Sequence, residues 1–305
     1  MKNFFKKSIP VGLVLLLLIN SMAVIGMVEY YLLKKQFNQK IEKLIVANDP
    51  EALVKEVSKL VMPADGYETQ LTWGDLGKRL VEIGAIDKEK YQEIFNSNTN
   101  GQQEMAVLDG EDRKITINEN NSRFIVNTLW ALGLANKSKV LDEGPMMTGE
   151  TPAGNFASTG GWTLGSKDAM EVYSSEKLIA LTDEQQDLVQ KIAGNVYRPC
   201  CGNHTAFPDC NHGMAALGYI ELAIAKGLSE EQIYKDLLAF NSFWFPTTYV
   251  EMAVYFQKEE EISWDQVDAK LALSNEYSSA QGAQKIKQAV QNVPGLKSQG
   301  GSCGA

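Results

Sequence analysis

The chain has 305 residues, of which 44% are apolar and 22% charged, proportions that are ordinary for a globular protein with a packed core. Its net charge of −9 is uneven, because residues 1–43 carry seven Lys and two Glu, whereas the remainder carries 22 basic and 36 acidic side chains. An acidic body repels phosphate backbones, which argues against nucleic acid as a partner.

The N-terminus predicts a membrane anchor. Residues from Ile9 to Val28 are apolar over about 20 positions, enough to cross roughly 30 Å of hydrocarbon as a helix. Small residues at positions 21–23 also fit a signal-peptide cleavage site. However, the apolar run continues as far as Leu33, where a signal peptide would already have turned polar. We therefore predict a transmembrane anchor over residues 1–33, with a cleaved signal peptide as the alternative.

The orientation of this anchor follows from the flanking lysines. Three Lys precede the span and four follow it, so the charge balance across the membrane is nearly even. A short basic N-terminal tail is typical of a signal-anchor. We expect a single-pass membrane protein with the membrane as its partner and its body on the extracytoplasmic side.

Residues 34–293 predict a mainly α, multi-helix soluble domain. Apolar residues recur at helical spacing, and several segments begin with a cap: a Thr-x-x-Asp pattern at Thr72, a capping box at Thr182 and a proline at Pro246. The predicted helices are 34–47, 50–62, 72–83, 87–95, 121–135, 182–193, 212–226, 229–240, 247–258, 264–272 and 284–290.

Three segments depart from this helical pattern. Residues 104–108 and 113–117 flank Asp109-Gly110, a turn signal that predicts one short β-hairpin. Residues 142–166 are rich in Gly, Pro, Thr and Ser, and they predict a long loop that could cover a site. Residues 294–305 predict a flexible Gly/Ser-rich tail, which carries Cys303.

The chemistry is concentrated in one short window. The chain has four Cys and two His, and five of these six residues fall between positions 200 and 212. Thiolate and imidazole are ligands for Zn, Cu or Fe, and a closed tetrahedral zinc site needs four of them. We predict a metal site, with zinc as the first choice of ion. Its candidate ligands are Cys200, Cys201, His204, Cys210 and His212, with Cys303 as an additional candidate.

Two other interpretations of this window stay open. In the first, Cys200 or Cys201 pairs with Cys210 or Cys303 in thiol–disulfide exchange, since adjacent cysteines rarely bond to each other. In the second, zinc is purely structural and stabilises a scaffold or interaction protein. The chain carries no P-loop or HExxH motif, so we name no catalytic residue and expect a non-enzymatic role.

The window also resembles a known bacterial motif. The text Pro199-Cys200-Cys201-Gly202, with His204 and Asp209-Cys210 downstream, is similar to membrane-attached proteins of unknown function that carry a PCYCGC motif. The similarity covers about a dozen residues. The tyrosine between the cysteines is absent here, and Asn203 stands where the third cysteine of the motif would be. The resemblance implies a Cys/His site on an exported, anchored protein.

Overall fold

The structure is a computed structural model that describes residues 27–41, 43, 49–95 and 103–296. The chain divides into two compact units, Met1–Leu53 and Val54–Ala305. In the first unit, residues 27–41 are helical, and the apolar side chains from Met27 to Leu33 are exposed. No helix within the described ranges is both long and apolar enough to span a bilayer. Most of the predicted anchor lies outside those ranges, and the anchor stays a prediction.

The described body is mainly helical with a small antiparallel sheet, as predicted. The longer helices are α1 (27–41), α2 (Pro50–Val61), α3 (Leu76–Glu82), α4 (Lys88–Phe95), α5 (Ser122–Ala135), α6 (Asp183–Ala193), α7 (Asn211–Ala225), α8 (Glu230–Trp244), α9 (Pro246–Glu259) and α10 (Ala280–Val290). The strands are β1 (Tyr67–Thr72) and β2 (Lys114–Ile117). Short helical turns lie at Lys139–Asp142, Pro145–Thr148, Ala169–Val172, Ala269–Ala272 and Asn275–Ser278.

The predicted hairpin was wrong in its first strand. β2 forms as expected, but it pairs with β1, with Tyr67 opposite Ile117. Residues Ala106–Asp109 form a 3₁₀ turn instead. The physical reason is that Val107 and Leu108 are both buried. A strand points successive side chains to opposite faces, whereas a helical turn can bury two neighbours together.

Most helix boundaries agree with the capping signals, with one exception. Thr182 and Gln185 form the predicted capping box, and Pro246 opens α9. The predicted cap at Thr72 was wrong, because Thr72 ends β1 and α3 begins four residues later at Leu76. The sheet hydrogen bonds of this segment took precedence over the cap pattern.

The core centres on the close pairing of α5 and α7. A Cβ atom placed on Gly133 would lie 2.0 Å from the Met214 carbonyl oxygen, and one on Gly218 would lie 2.6 Å from the Leu129 carbonyl oxygen. The two backbones therefore approach at positions where only glycine fits. α7 is buried on nearly every side, so its N-terminus is held firmly in place.

The predicted loop at 142–166 lies against the start of α7. The backbone N–H of Ser158 donates to the Asp209 carbonyl at 3.1 Å. The Ser158 carbonyl in turn accepts from the indole N–H of Trp130, on α5, at 2.7 Å. The loop thus bridges α5 and the cysteine-bearing segment.

Candidate functional site

The segment between α6 and α7 folds back on itself and brings its cysteines together. Tyr197 and His204 form an antiparallel bridge that reverses the chain direction. The chain then runs to Cys210, which is the N-cap residue of α7. This reversal places Cys200 and Cys201 next to Cys210, although about ten residues separate them in sequence.

The three sulfur atoms lie close enough to share one ion. The Sγ atoms of Cys200, Cys201 and Cys210, called the thiol cluster below, are all within 4.8 Å of one another. The sulfurs of Cys200 and Cys210 are 3.5 Å apart, and all three residues are free thiols. A tetrahedral zinc with Zn–S bonds of about 2.3 Å holds its sulfurs about 3.8 Å apart. The thiol cluster could therefore hold a metal ion.

A buried guanidinium supports the thiol cluster from one side. Arg198 is 2% exposed, and its Nε lies 3.0 Å from the Cys210 sulfur. Its Nη2 donates to the Asp209 carboxylate at 2.6 Å and to the Phe207 carbonyl at 3.1 Å, and its Nη1 donates to the Asn203 carbonyl at 3.2 Å. Because every guanidinium nitrogen is engaged, the charge is fixed in position beside the sulfur.

The pKa of the Cys210 thiol is held well below its usual value. Hydrogen bonds from Cys200 and Cys201 are the largest causes, and the charge of Arg198 acts in the same direction, together outweighing burial. The pKa of Cys200 is raised by its hydrogen bonds with Cys201 and Cys210 and by burial. Of the three thiols, Cys210 is therefore the one whose deprotonated form is most favoured, and the thiolate is the form that binds metals.

Two neighbouring polar contacts and one glycine complete this arrangement. The Asn203 side chain donates to the Asp209 carboxylate at 2.8 Å, and that carboxylate lies 3.9 Å from the Cys201 sulfur. A Cβ atom on Gly213 would lie 2.4 Å from the Arg198 guanidinium carbon. The glycine thus makes room for the guanidinium beneath α7, a role that the sequence pattern did not indicate.

The two predicted histidine ligands are not among the mutually close ligand atoms of the described residues. The His212 ring is 3% exposed and packs against Phe245, with ring centroids 4.4 Å apart. The His204 ring packs edge-on against Tyr197 at 5.8 Å. In both histidines Nδ1 is buried without a hydrogen-bond partner within the described structure. Histidine ligation stays a prediction, and Cys303 lies outside the described residues.

A cavity of about 510 Å³ opens beside the thiol cluster, and Cys200 and Cys210 form part of its wall. Another part is formed by Trp130 and Trp162, whose ring centroids are 4.7 Å apart. Both indole N–H groups already donate to backbone carbonyls. No local sequence pattern indicates this cavity, because its walls come from α4, α5, the 142–166 loop, the cysteine segment and the start of α7.

Comparison of the chain with protein-family models, with curated proteins and with solved structures finds no match.

Proposed function

We propose that this protein is a membrane-anchored metal-binding protein whose ion is held by Cys200, Cys201 and Cys210. The observation that carries the proposal is that the three sulfurs lie within 4.8 Å of one another at the N-terminus of α7. Free N–H groups and the helix dipole at that end favour negative charge, and so favour thiolates.

Charge balance supports a divalent ion, with zinc as the first choice. Three thiolates are neutralised by one divalent ion together with the buried Arg198 guanidinium, and Asp209 leaves a single negative charge. A monovalent ion such as Cu(I) would leave a second negative charge uncompensated in a largely buried site. Iron and copper are the other ions that suit thiolate ligands.

The membrane anchor is proposed from the apolar run between Ile9 and Val28, with the body on the extracytoplasmic side. The exposure of successive apolar side chains from Tyr30 to Leu33 supports it. A helix that is apolar all round and not covered by protein is compatible with lipid contact. Lys34 and Lys35 follow at once, where headgroups would begin.

A second candidate function is thiol–disulfide exchange, and one observation favours it. The sulfurs of Cys200 and Cys210 are 3.5 Å apart, so a small movement would bring them to the disulfide bond length of about 2.05 Å. In that reaction both thiols would lose their protons and two electrons to form the disulfide, and a partner disulfide would be reduced to two thiols. The Cys210 thiolate would be the attacking group.

The test is the metal content of the full-length protein, purified in detergent without a histidine tag and analysed by elemental mass spectrometry. We expect about one equivalent of metal in the wild type and in Cys303→Ser, the matched control, and loss of the metal in Cys200→Ser and Cys210→Ser. Circular dichroism of each variant checks that it has folded. A metal-free wild type with a Cys200–Cys210 disulfide would instead establish the redox function.

A further inference from the structure

The cavity beside the thiol cluster is much larger than an ion and its water require. A water molecule occupies about 30 Å³ in the liquid, a small fraction of the 510 Å³ present. The volume falls within the range of small-molecule sites, roughly 300–1,000 Å³. Since Cys200 and Cys210 line the cavity, a molecule inside it would contact the ion on the thiol cluster directly.

The coordination number leaves a position for such a molecule. Zinc bound to proteins is almost always four-coordinate, and the thiol cluster supplies three sulfurs. Where the protein supplies three ligands, the fourth position is open to water or to another small ligand. Because Cys200 and Cys210 line the cavity, a fourth ligand could approach their ion from the cavity.

The net charge of the site determines which kind of fourth ligand is favoured. A divalent ion and Arg198 already balance three thiolates, and Asp209 adds a further negative charge. A fourth thiolate would bring another uncompensated charge into a partly buried site, at a high cost. A neutral nitrogen donor such as imidazole adds none, and imidazole suits zinc, copper and iron alike.

The cavity lining indicates what else this molecule carries. Trp130 and Trp162 offer aromatic surface to a flat ring, and the buried side chains of Asn127 and Asn211 offer polar contacts. Arg123 lies at the exposed rim and contributes a positive charge there. A carboxylate on the ligand would therefore lie toward the rim while its ring points to the ion.

We propose that this cavity binds a small imidazole carboxylate, such as free histidine, whose ring nitrogen completes the coordination of the ion on the thiol cluster. The inference rests on the proposed metal-binding function. It extends that function, because the protein would then take up or release its metal ion together with the small ligand, in a ternary complex of protein, ion and ligand.

The test uses the full-length protein in detergent, loaded with Co(II) under argon, whose visible absorption reports the ligands of the ion. L-histidine is titrated into this sample, with imidazole and L-alanine as comparison compounds. We expect a saturable 1:1 spectral shift with histidine, saturation with imidazole only at higher concentration, and no shift with alanine. Arg123→Gln should raise the half-saturating histidine concentration about two- to fivefold without altering imidazole binding, because an exposed ion pair is lost.

A variant whose side chain blocks the cavity tests whether the ligand binds there. Thr163→Trp adds bulk at the exposed rim of the cavity, whereas Thr151→Trp makes the same change at an exposed position outside it. Both should load Co(II), but only Thr163→Trp should lose the histidine response. Absence of sulfur-to-cobalt bands in the wild type would overturn the metal-binding function. Three results would overturn the proposed ligand site while leaving the metal-binding function intact. They are cobalt–sulfur bands that do not respond to histidine, removal of the cobalt by histidine, and a histidine response in Thr163→Trp equal to that of the wild type.

Discussion

The guanidinium Nε of Arg198 lies 3.0 Å from the sulfur of Cys210, on a side chain that is 2% exposed. The same guanidinium forms an ion pair with Asp209 at 2.6 Å, the residue just before Cys210. The pKa of Arg198 is raised, since the neighbouring thiolates outweigh the effect of burial, which alone would lower it. A permanent positive charge therefore lies beside the three thiols of the thiol cluster.

Replacing Arg198 by Met should strongly destabilise the protein. The substitution leaves the Asp209 carboxylate and the Cys210 thiolate without their buried partner, and breaking such a pair costs about 3–5 kcal/mol. The free energy of unfolding, measured by urea denaturation, gives the value. The matched control is Lys235→Met, which removes an exposed ion pair to Glu231 and should cost about 0.5 kcal/mol or less. A loss below about 1 kcal/mol in Arg198→Met would refute the role assigned to the guanidinium.

Gly213→Ala should lower both stability and metal content, although alanine is the better helix former by about 1 kcal/mol. The new methyl would lie 2.4 Å from the guanidinium of Arg198, which its hydrogen bonds hold in place. Overpacking of this kind costs about 1–3 kcal/mol. Gly202→Ala is the control in the same segment, because its Cβ would meet only the Gln281 side chain at 3.4 Å. Thermal unfolding and metal analysis compare the two variants, and equal behaviour would contradict the packing argument.

The buried carboxyl of Glu221 predicts a dependence of stability on pH. Burial raises its pKa to about 8 from an ordinary 4.5, and one of its oxygens accepts a hydrogen bond from Asn136 at 2.8 Å. Between these two pH values the folded state holds a proton that the unfolded state has lost. Stability therefore falls as pH rises from about 4.5 to 8, by up to about 1.4 kcal/mol per pH unit from this residue.

Glu221→Gln is the matched variant for this prediction, because it keeps the shape and removes the titration. Urea denaturation of both proteins at pH 5, 7 and 9 should show similar stability at pH 5. The variant should then gain over the wild type as the pH rises. A difference between the two proteins that stays constant across this range would show that Glu221 does not titrate as its burial implies.

Histidine ligation makes a separate prediction. The sequence indicates His204 and His212 as ligands, whereas among the described residues the structure brings the three cysteines within mutual reach and not the histidines. We expect His204→Gln and His212→Gln to keep about one equivalent of metal, because neither imidazole belongs to the mutually close ligand atoms of the described residues, although the His212 side chain interacts with Cys210. Elemental analysis decides the question. Loss of metal in either variant, with the fold intact by circular dichroism, would return that histidine to the ligand set.

The sequence could predict the thiol cluster because its three cysteines lie within eleven residues. It could not predict how their side chains are directed. Cys210 is the N-cap residue of α7 and His212 lies in its first turn, where the His212 side chain still interacts with Cys210.

Local signals also predicted most of the helices, although the cap pattern at Thr72 was wrong, and they could not predict long-range pairing. The capping box at Thr182 and the proline at Pro246 mark helix starts without reference to the rest of the chain. The partner of β2 is more than forty residues away at β1, and no local pattern encodes it. The same holds for the cavity, whose aromatic wall joins Trp130 to Trp162.

X-ray absorption at the zinc K-edge of the zinc-loaded full-length protein tests most directly whether three cysteines hold the ion. We expect three sulfur neighbours at about 2.3 Å and one lighter neighbour at about 2.0–2.2 Å, and loss of this bound-zinc signal in Cys200→Ser, which no longer retains the ion. A shell of nitrogen and oxygen neighbours with fewer than two sulfurs, or a spectrum unchanged in that variant, would contradict this expectation.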